Sequence, residues 1–348
     1  MAATKIIIFQ NYYTPARDAL FRELHGSGIE LMVLYAHQPG DEGRLWSEPD
    51  DVPYRSIQLR HISIFKNVLF LVPLFAFTSG RIVILLDNNP TNLCMIAWAV
   101  IFRLFGCKIG LWVEHIPDQF KGRLKLIFQE TSTRILSKLS NVILSFSEMS
   151  DKYLNYLQIS RPIRRMIQAV PPPSRPPSPP IRGPIRSFGY LGSADRRKNV
   201  QALVAAFSKL PDPSLRLHVG GFSGVSEDVR IVWHGYVVGD DKEEFFNNIQ
   251  LLVIPSLADP WGLVANEALE RQRLVIATDA CGCSEMINFI SPELVCSNDV
   301  IGLSSSLEWA STLSVVQVTQ LIERSYEVIE KYSISAAAKR FSDIVKAF

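Results

Sequence analysis

The stretch Ile254–Ile287, IPSLADPWGLVANEALERQRLVIATDACGCSEMI, decides how the rest of the chain is read. It opens on the end of an apolar run, Leu251–Pro255, short enough for a buried strand and closed by a turn residue. A loop follows over Ser256–Pro260, then a helical pattern over Trp261–Gln272, then a second apolar strand at Leu274–Ala277. Strand, helix and strand in that order make a βαβ unit, whose two strands run parallel in one sheet. The first amides of such a helix lack intrahelical partners and carry partial positive charge. Gly262, after Trp261, lets an anion approach the backbone closely, so the amides of Gly262, Leu263 and Val264 form a seat for a diphosphate.

Two acids bracket that seat. Asp259 lies in the loop before the helix, and Glu267 lies about 7 Å along the axis from Gly262, at ~1.5 Å per residue. Helical side chains lean toward the N-terminus, so Glu267 can reach hydroxyls on one side of a phosphate while Asp259 reaches those on the other. In a nucleotide sugar these hydroxyls belong to the ribose and the hexose. The spacing alone leaves a plainer pair of roles equally open: Asp259 as a helix cap and Glu267 as a solvated acid.

Working outward, the same alternation fills the second half. Arg186–Gly192, Leu215–Gly220, Ile231–His234 and Glu293–Cys296 read as strands, and Asn199–Leu210 and Asp241–Asn247 as helices. The first half repeats it, with strands at Lys5–Gln10, Glu30–Tyr35, Arg81–Leu86, Lys108–Val113 and Asn141–Phe146 and helices at Thr14–His25 and Asn92–Phe105. Continuous apolar strands between helices imply parallel sheets covered on both faces. Between the halves, Pro171–Pro184 holds eight prolines, which cannot donate to a helix or central strand and favour a stiff, extended connector. The expected architecture is α/β: a Rossmann-like lobe over 1–170, a linker over 171–185, a second Rossmann-like lobe over 186–330, and a helix over 331–348 that can cross back to the first lobe. Ligands are then expected in a cleft between the lobes, at the carboxyl ends of the strands.

Composition narrows the function. The chain has 348 residues, 47% of them hydrophobic, enough for two cores, and a formal net charge of +2, which argues against a nucleic-acid partner. Cys94, Cys107, Cys281, Cys283 and Cys296 are odd in number and irregular in spacing, so neither a disulfide framework nor a zinc site is expected. Cys281 and Cys283 look like a metal pair but read better as part of a turn. The start runs straight into an apolar strand without a basic leader, and a cytoplasmic location is expected. The apolar segment Ile64–Thr78 is shorter than a bilayer span and contains Pro73; it reads as a buried helix, with a monotopic membrane contact as the alternative. Lys121, Arg123, Lys125, Arg134 and Lys138 alternate with Leu124, Ile127, Phe128, Ile135 and Leu139, a pattern that suits either a solvated helix or peripheral contact with anionic lipid at the inner face of the cell membrane.

The central window resembles the retaining GT-B glycosyltransferases of glycosyltransferase family 4. That family's pattern is Glu-x-Phe-Gly, an apolar run, Glu-Ala, a strand, and an Ala-Thr-Asp-x-Gly-Gly-x-x-Glu turn. This chain reads Asp259-Pro260-Trp261-Gly262, Glu267-Ala268, then Ala277-Thr278-Asp279 through Glu285. The resemblance covers the second half well and the first half mainly in layout. It implies a hexose transfer from a nucleotide diphosphate sugar to a hydroxyl acceptor, with retention of configuration. A glycan or lipid-linked acceptor is implied, and no cofactor or metal.

The resemblance also implies roles. Phe188–Gly192 matches the strand opening the donor lobe, and Lys198 matches a lysine that neutralises the diphosphate; Ser193 replaces the family's arginine, leaving Arg196 or Arg197 to supply that charge. His234 and Gly235 match a loop near the nucleobase. His115, after the strand Lys108–Val113, matches a histidine that contacts the transferred sugar, with Glu114 a weaker candidate. The family's paired glycines in the first loop are missing; Asn11 and Arg17 stand there, and Asp87–Pro90 is another polar strand end. A sugar-nucleotide epimerase of the same architecture and a non-catalytic nucleotide-sugar binding protein are the competing readings.

Overall fold

A computed structural model describes residues 4–36, 51–64, 67–73, 81–87, 91–116, 120, 122–173 and 183–347. Most of the proline-rich segment, residues 88–90 and Lys121 lie outside the described residues. The chain divides into two compact units, Met1–Pro171 with Ser333–Phe348, and Pro172–Tyr332.

In the first unit the strands are β1 (Lys5–Gln10), β2 (Glu30–Tyr35), β3 (Arg55–Gln58), β4 (His61–Ile64), β5 (Asn67–Phe70), β6 (Ile82–Leu86), β7 (Lys108–Trp112), β8 (Val142–Ser145) and β9 (Ile163–Arg165). The helices are α1 (Pro15–Gly26), α2 (Asn92–Leu104), α3 (Arg123–Leu139) and α4 (Glu148–Tyr156). Seven strands form one parallel sheet in the order β3-β2-β1-β6-β7-β8-β9. The apolar side chains of β1 and β6 are buried on both faces, as runs such as Ile6–Phe9 and Ile82–Leu86 require. Thr14 starts α1 by accepting from the Arg17 amide, with Pro15 in the first turn, where its missing N–H costs nothing.

The segment expected as a buried helix from Ile64 is a β-hairpin where it is described. β4 and β5 pair antiparallel, His61 opposite Phe70 and Ile64 opposite Asn67. The β-branched Ile62, Ile64 and Val68 favour extended backbone, and Pro73 stops any helix from continuing through the run. Residues 65, 66 and 74–78 of that segment lie outside the described residues.

The second unit contains β10 (Ser187–Leu191), α5 (Val200–Ser208), β11 (Arg216–Gly220), β12 (Ile231–Gly235), α6 (Asp240–Asn248), β13 (Leu251–Ile254) and α7 (Val264–Glu270). It continues with β14 (Leu274–Thr278), α8 (Ser284–Ile290), β15 (Val295–Cys296), α9 (Val300–Thr312) and α10 (Val315–Glu330). The stretch expected as a strand over Glu293–Cys296 is a 3₁₀ turn at Pro292–Leu294 followed by the two residues of β15. Six parallel strands run in the order β12-β11-β10-β13-β14-β15. Numbered within the unit this is 3-2-1-4-5-6, the doubly wound order, which reverses direction between β10 and β13.

The last helix, α11 (Ile334–Lys346), is capped by Ser333 and belongs to the first unit, where it packs on α1. Ala337, Phe341, Ile344 and Val345 bury one face in that core, and Arg340 Nε donates to the Arg165 carbonyl at 2.9 Å. Phe341→Ala is expected to destabilise the first unit by about 3–5 kcal/mol, since a fully buried ring would leave a cavity. Urea denaturation followed by a probe in that unit measures the loss.

Candidate functional site

The reversal between β10 and β13 leaves a crevice at the carboxyl ends of the strands, and the loops leaving these two strands carry most of the residues singled out in the sequence. After β10 the chain turns at Gly192 and Ser193. Gly192 lies against Gly221, whose φ is +105° and whose added Cβ would sit 2.0 Å from the Gly192 carbonyl oxygen. No side chain fits between the two loops, so both backbones reach the strand ends uncovered. Tyr190 Oη donates to the Ser193 carbonyl at 2.7 Å and fixes the turn.

A 3₁₀ turn at Arg196–Lys198 follows, capped by Asp195. It is tied to the loop after β13. The Leu257 amide donates to the Arg197 carbonyl at 2.7 Å, and Asn199 Nδ2 donates to the carbonyls of Pro255 and Asn298 at 3.0 and 2.8 Å. These bonds bring Lys198 Nζ to 2.5 Å from Asp259 Oδ2. Asp259 is only 7% exposed. Its backbone is held by the turn after β14, its amide donating to the Ala280 carbonyl at 3.1 Å and its carbonyl accepting from Gly282 at 2.9 Å. Its Oδ1 accepts from the Trp261 amide at 3.3 Å. A carboxylate this buried depends on its cation, because removing one partner leaves an uncompensated charge.

The helix expected from Trp261 begins at Val264 and ends at Glu270. Gly262 is the reason: its φ of +90° lies outside the helical region. A Cβ there would also stand 3.3 Å from Cys283 Sγ and 3.7 Å from Asp259 Oδ2. Trp261 is buried instead, with Nε1 donating to Asn266 Oδ1 at 2.8 Å and the ring tilted on Tyr332. Among the described residues, the amides of Gly262, Leu263 and Val264 donate to no acceptor. Three unpaired donors thus lie beside the Asp259–Lys198 pair.

Glu267 sits in the first turn of α7 but turns to α6, where Lys242 Nζ approaches Oε1 at 2.7 Å. Lys242 was not singled out in the sequence. It stands 25 residues from Glu267 in the chain, and nothing local signals the pairing. Arg197 folds back onto Asp195, with Nε 3.3 Å from Oδ1. His234 pairs with His218 of the neighbouring strand, Nε2 to Nδ1 at 2.9 Å, and Gly235 closes a backbone bond from Gly221 at 2.7 Å. Cys281 and Cys283 are free and fully buried in the turn against Asp259. The hydrogen bond to Cys281, together with burial, pushes the Cys283 thiol well up. Among the described residues no group of three His, Cys, Asp or Glu is placed to hold a metal ion.

The first unit has its own reversal, between β1 and β6. Asp87, at the end of β6, is buried and accepts from Asn92 Nδ2 at 2.7 Å and Thr133 Oγ1 at 2.5 Å. His115 Nε2 lies 3.4 Å from Asp87 Oδ1. Burial pushes the Asp87 carboxyl up, but attraction to His115 and the bonds from Thr133 and Asn92 outweigh it, and the net shift is downward. Arg17 pairs with Glu114 and stacks 4.5 Å over the Trp112 ring. Trp112 Nε1 and Gln168 Nε2 donate to the same Glu114 oxygen, at 2.9 and 3.3 Å. Asn11 Oδ1 and Gln10 Nε2, at the end of β1, are buried with no hydrogen-bond partner among the described residues. The structure thus groups His115 with Asp87 and Arg17 with Glu114, pairings that no spacing in the sequence announces.

Residues 185–310, within the second unit, match the profile of Glycosyl transferases group 1. The chain is similar to sucrose-phosphate synthase from Thermosynechococcus elongatus, at 15% identity and a TM-score of 0.72 over 99% of this chain and 98% of that one. It is similar to HepE from Anabaena, solved in complex with UDP and glucose, at 10% identity and a TM-score of 0.69 over 99% of this chain and 100% of that one. A glycosyltransferase from Rickettsia africae ESF-5 gives 15% identity and a TM-score of 0.71 over 100% of this chain and 99% of that one. No curated protein sequence matches the chain. The fold is therefore the pair of Rossmann-like units known as GT-B.

The histidine pair gives the second unit a pH dependence. Burial, with help from His234 and Arg216, holds His218 down to about 4. A free histidine in the unfolded chain protonates near 6.5, so between these values the unfolded state binds more protons and stability falls as pH drops. Thermal unfolding is expected to show a lower Tm at about pH 5 than at about pH 7, and His218→Gln is expected to shrink that difference.

Proposed function

We propose that this chain is a retaining glycosyltransferase, moving a hexose from a nucleotide diphosphate sugar to a hydroxyl acceptor in polysaccharide or glycolipid synthesis. The observation that carries the reading is the Lys198–Asp259 pair beside the unpaired amides of Gly262, Leu263 and Val264. A donor diphosphate needs preorganised positive charge where its negative charge grows as the glycosidic bond breaks. The three amides provide it at fixed positions, and Lys198 provides a full charge held in place by Asp259. When the diphosphate arrives, Lys198 exchanges part of its contact with Asp259 for phosphate oxygens, and Asp259 becomes free to accept from a sugar hydroxyl. Glu267 holds the ribose hydroxyls in the same way, exchanging part of its contact with Lys242.

In the first unit, His115 meets the transferred sugar, with Asp87 fixing its ring. The retained configuration follows from attack by the acceptor hydroxyl on the face the diphosphate leaves, with a phosphate oxygen taking the hydroxyl proton. The protein then contributes orientation and electrostatics more than covalent chemistry. The group 1 profile over residues 185–310 supports sugar transfer, and the aspartate at position 259, one methylene shorter than the glutamate of the resembled pattern, bears on which sugar fits.

A thermal-shift screen against UDP, GDP, ADP and dTDP sugars identifies the donor. With that donor, Glu267→Ala and Lys198→Ala are each expected to cut turnover at least tenfold, about 1.4 kcal/mol in the barrier. Lys198→Ala leaves a buried carboxylate unpaired, so its Tm is read alongside; Glu267 is more open, and its variant is expected to keep the wild-type Tm. Rates close to wild type in both variants remove the assignment.

A further inference from the structure

Helix α6 opens Asp240-Asp241-Lys242-Glu243-Glu244. The amino end of a helix favours negative charge, so Asp240, Asp241 and Glu243 sit in the first turn where the macrodipole stabilises them. Lys242, the only cation of α6, sits among them against that preference. A residue placed against its local preference answers a tertiary or functional demand. The demand visible in the fold is Glu267 on α7, whose Oε1 lies 2.7 Å from Lys242 Nζ, with both side chains about three-quarters buried, at 28% and 24% exposure. Neither side chain has another partner among the described residues.

The two helices do not need this pair to stay together. Arg271 of the α7 C-cap donates to both carboxylate oxygens of Glu243, at 2.9 and 2.5 Å, and its Nη1 donates to the Glu267 carbonyl at 2.9 Å. Its guanidinium also lies 4.8 Å from the centre of the Phe246 ring. Arg271 thus ties α6 to the residue of α7 that carries the acid, and it sets the distance between Lys242 and Glu267. What the pair itself offers is a matter of donors and acceptors. A hydroxyl has one proton to give and lone pairs to receive, whereas a carboxylate only accepts and an ammonium only donates. Either charge alone meets half of a hydroxyl. Side by side, Glu267 takes the hydroxyl proton and Lys242 donates to the hydroxyl oxygen, and both bonds are charge-assisted. A phosphate would gain Lys242 but be repelled by Glu267, and an apolar group would gain neither.

We propose that Lys242 is a specificity-determining residue of the donor site, which reads the ribose hydroxyls together with Glu267 and so selects a ribonucleotide donor over its deoxyribonucleotide counterpart. The inference rests on the sugar-transfer reading, which sets the ribose at Glu267. A site built to bond a hydroxyl discriminates against the analogue that lacks it, because its own polar groups are then left unanswered. Here water still reaches both charges, so the discrimination is expected at about tenfold or somewhat more, below that of a fully buried site.

Calorimetric titration of the full chain with UDP, GDP and ADP, and with the 2′-deoxy and 3′-deoxy forms of each, tests it without sugar or acceptor. The diphosphate that binds best is expected to lose about tenfold or more in affinity when a ribose hydroxyl is removed. Lys242→Met is expected to weaken the ribonucleotide about tenfold and the deoxy form less than about threefold, which closes most of the gap. Lys242→Arg, which keeps the charge, is expected to restore it. Because Glu243 and Arg271 still hold α6 on α7, both variants are expected to keep the wild-type Tm. Equal affinity for ribo and deoxy forms, dTDP bound as tightly as the best of the three, or a Lys242→Met loss of the same size for both forms overturns the proposal. In each of these cases a nucleoside diphosphate still binds and the sugar-transfer reading stands. No binding of any nucleoside diphosphate removes that reading, and this inference with it.

Discussion

The reversal of strand order between β10 and β13 is the constraint from which the candidate site follows. Parallel strands on either side of that point send their connections to opposite faces of the sheet, so the loops leaving β10 and β13 diverge and leave their strand ends open. Into that opening the chain places a buried aspartate, and a buried aspartate must be paired or stay protonated. Lys198 meets the demand only because Asn199 and Leu257 pin its turn to the loop after β13. The pair is thus a product of the sheet topology as much as of the two side chains.

Each of the candidate acids sits in a pair built the same way. Asp259 has Lys198, Glu267 has Lys242, and Glu114 has Arg17. In every case the partner comes from a different secondary-structure element. Carboxylates whose charges are already balanced cost less to fold than bare ones, and a polyanionic ligand can take over the lysines. That logic links the stability of the folded chain to the proposed chemistry, since the same cations serve both.

Gly262 shows how one residue changes a local reading. Apolar periodicity continues from Trp261 into α7, and on that pattern the helix should begin at Trp261. A φ of +90° at Gly262 instead holds Trp261 out of the helix and buried, and leaves the amides that follow without partners. The hairpin β4–β5 is a second case, in which an apolar run suited a helix by composition while its β-branched residues and Pro73 suited extended chain.

Read alone, the sequence determined the alternation of buried strands and helices, the two sheets it implies, and the window around Asp259, Gly262 and Glu267. These are legible because burial on both sheet faces forces continuous apolar runs, and because glycine and acid spacing within one βαβ unit is local. The partners were decided by tertiary structure alone: Lys242 on Glu267, His218 on His234, Asp87 on His115, and α11 on α1. The same holds for the apolar side chains that α2 leaves exposed, since only packing shows which side of a helix is left to solvent. Pairing across a fold depends on strand order and helix docking, long-range facts that no local spacing of residues encodes.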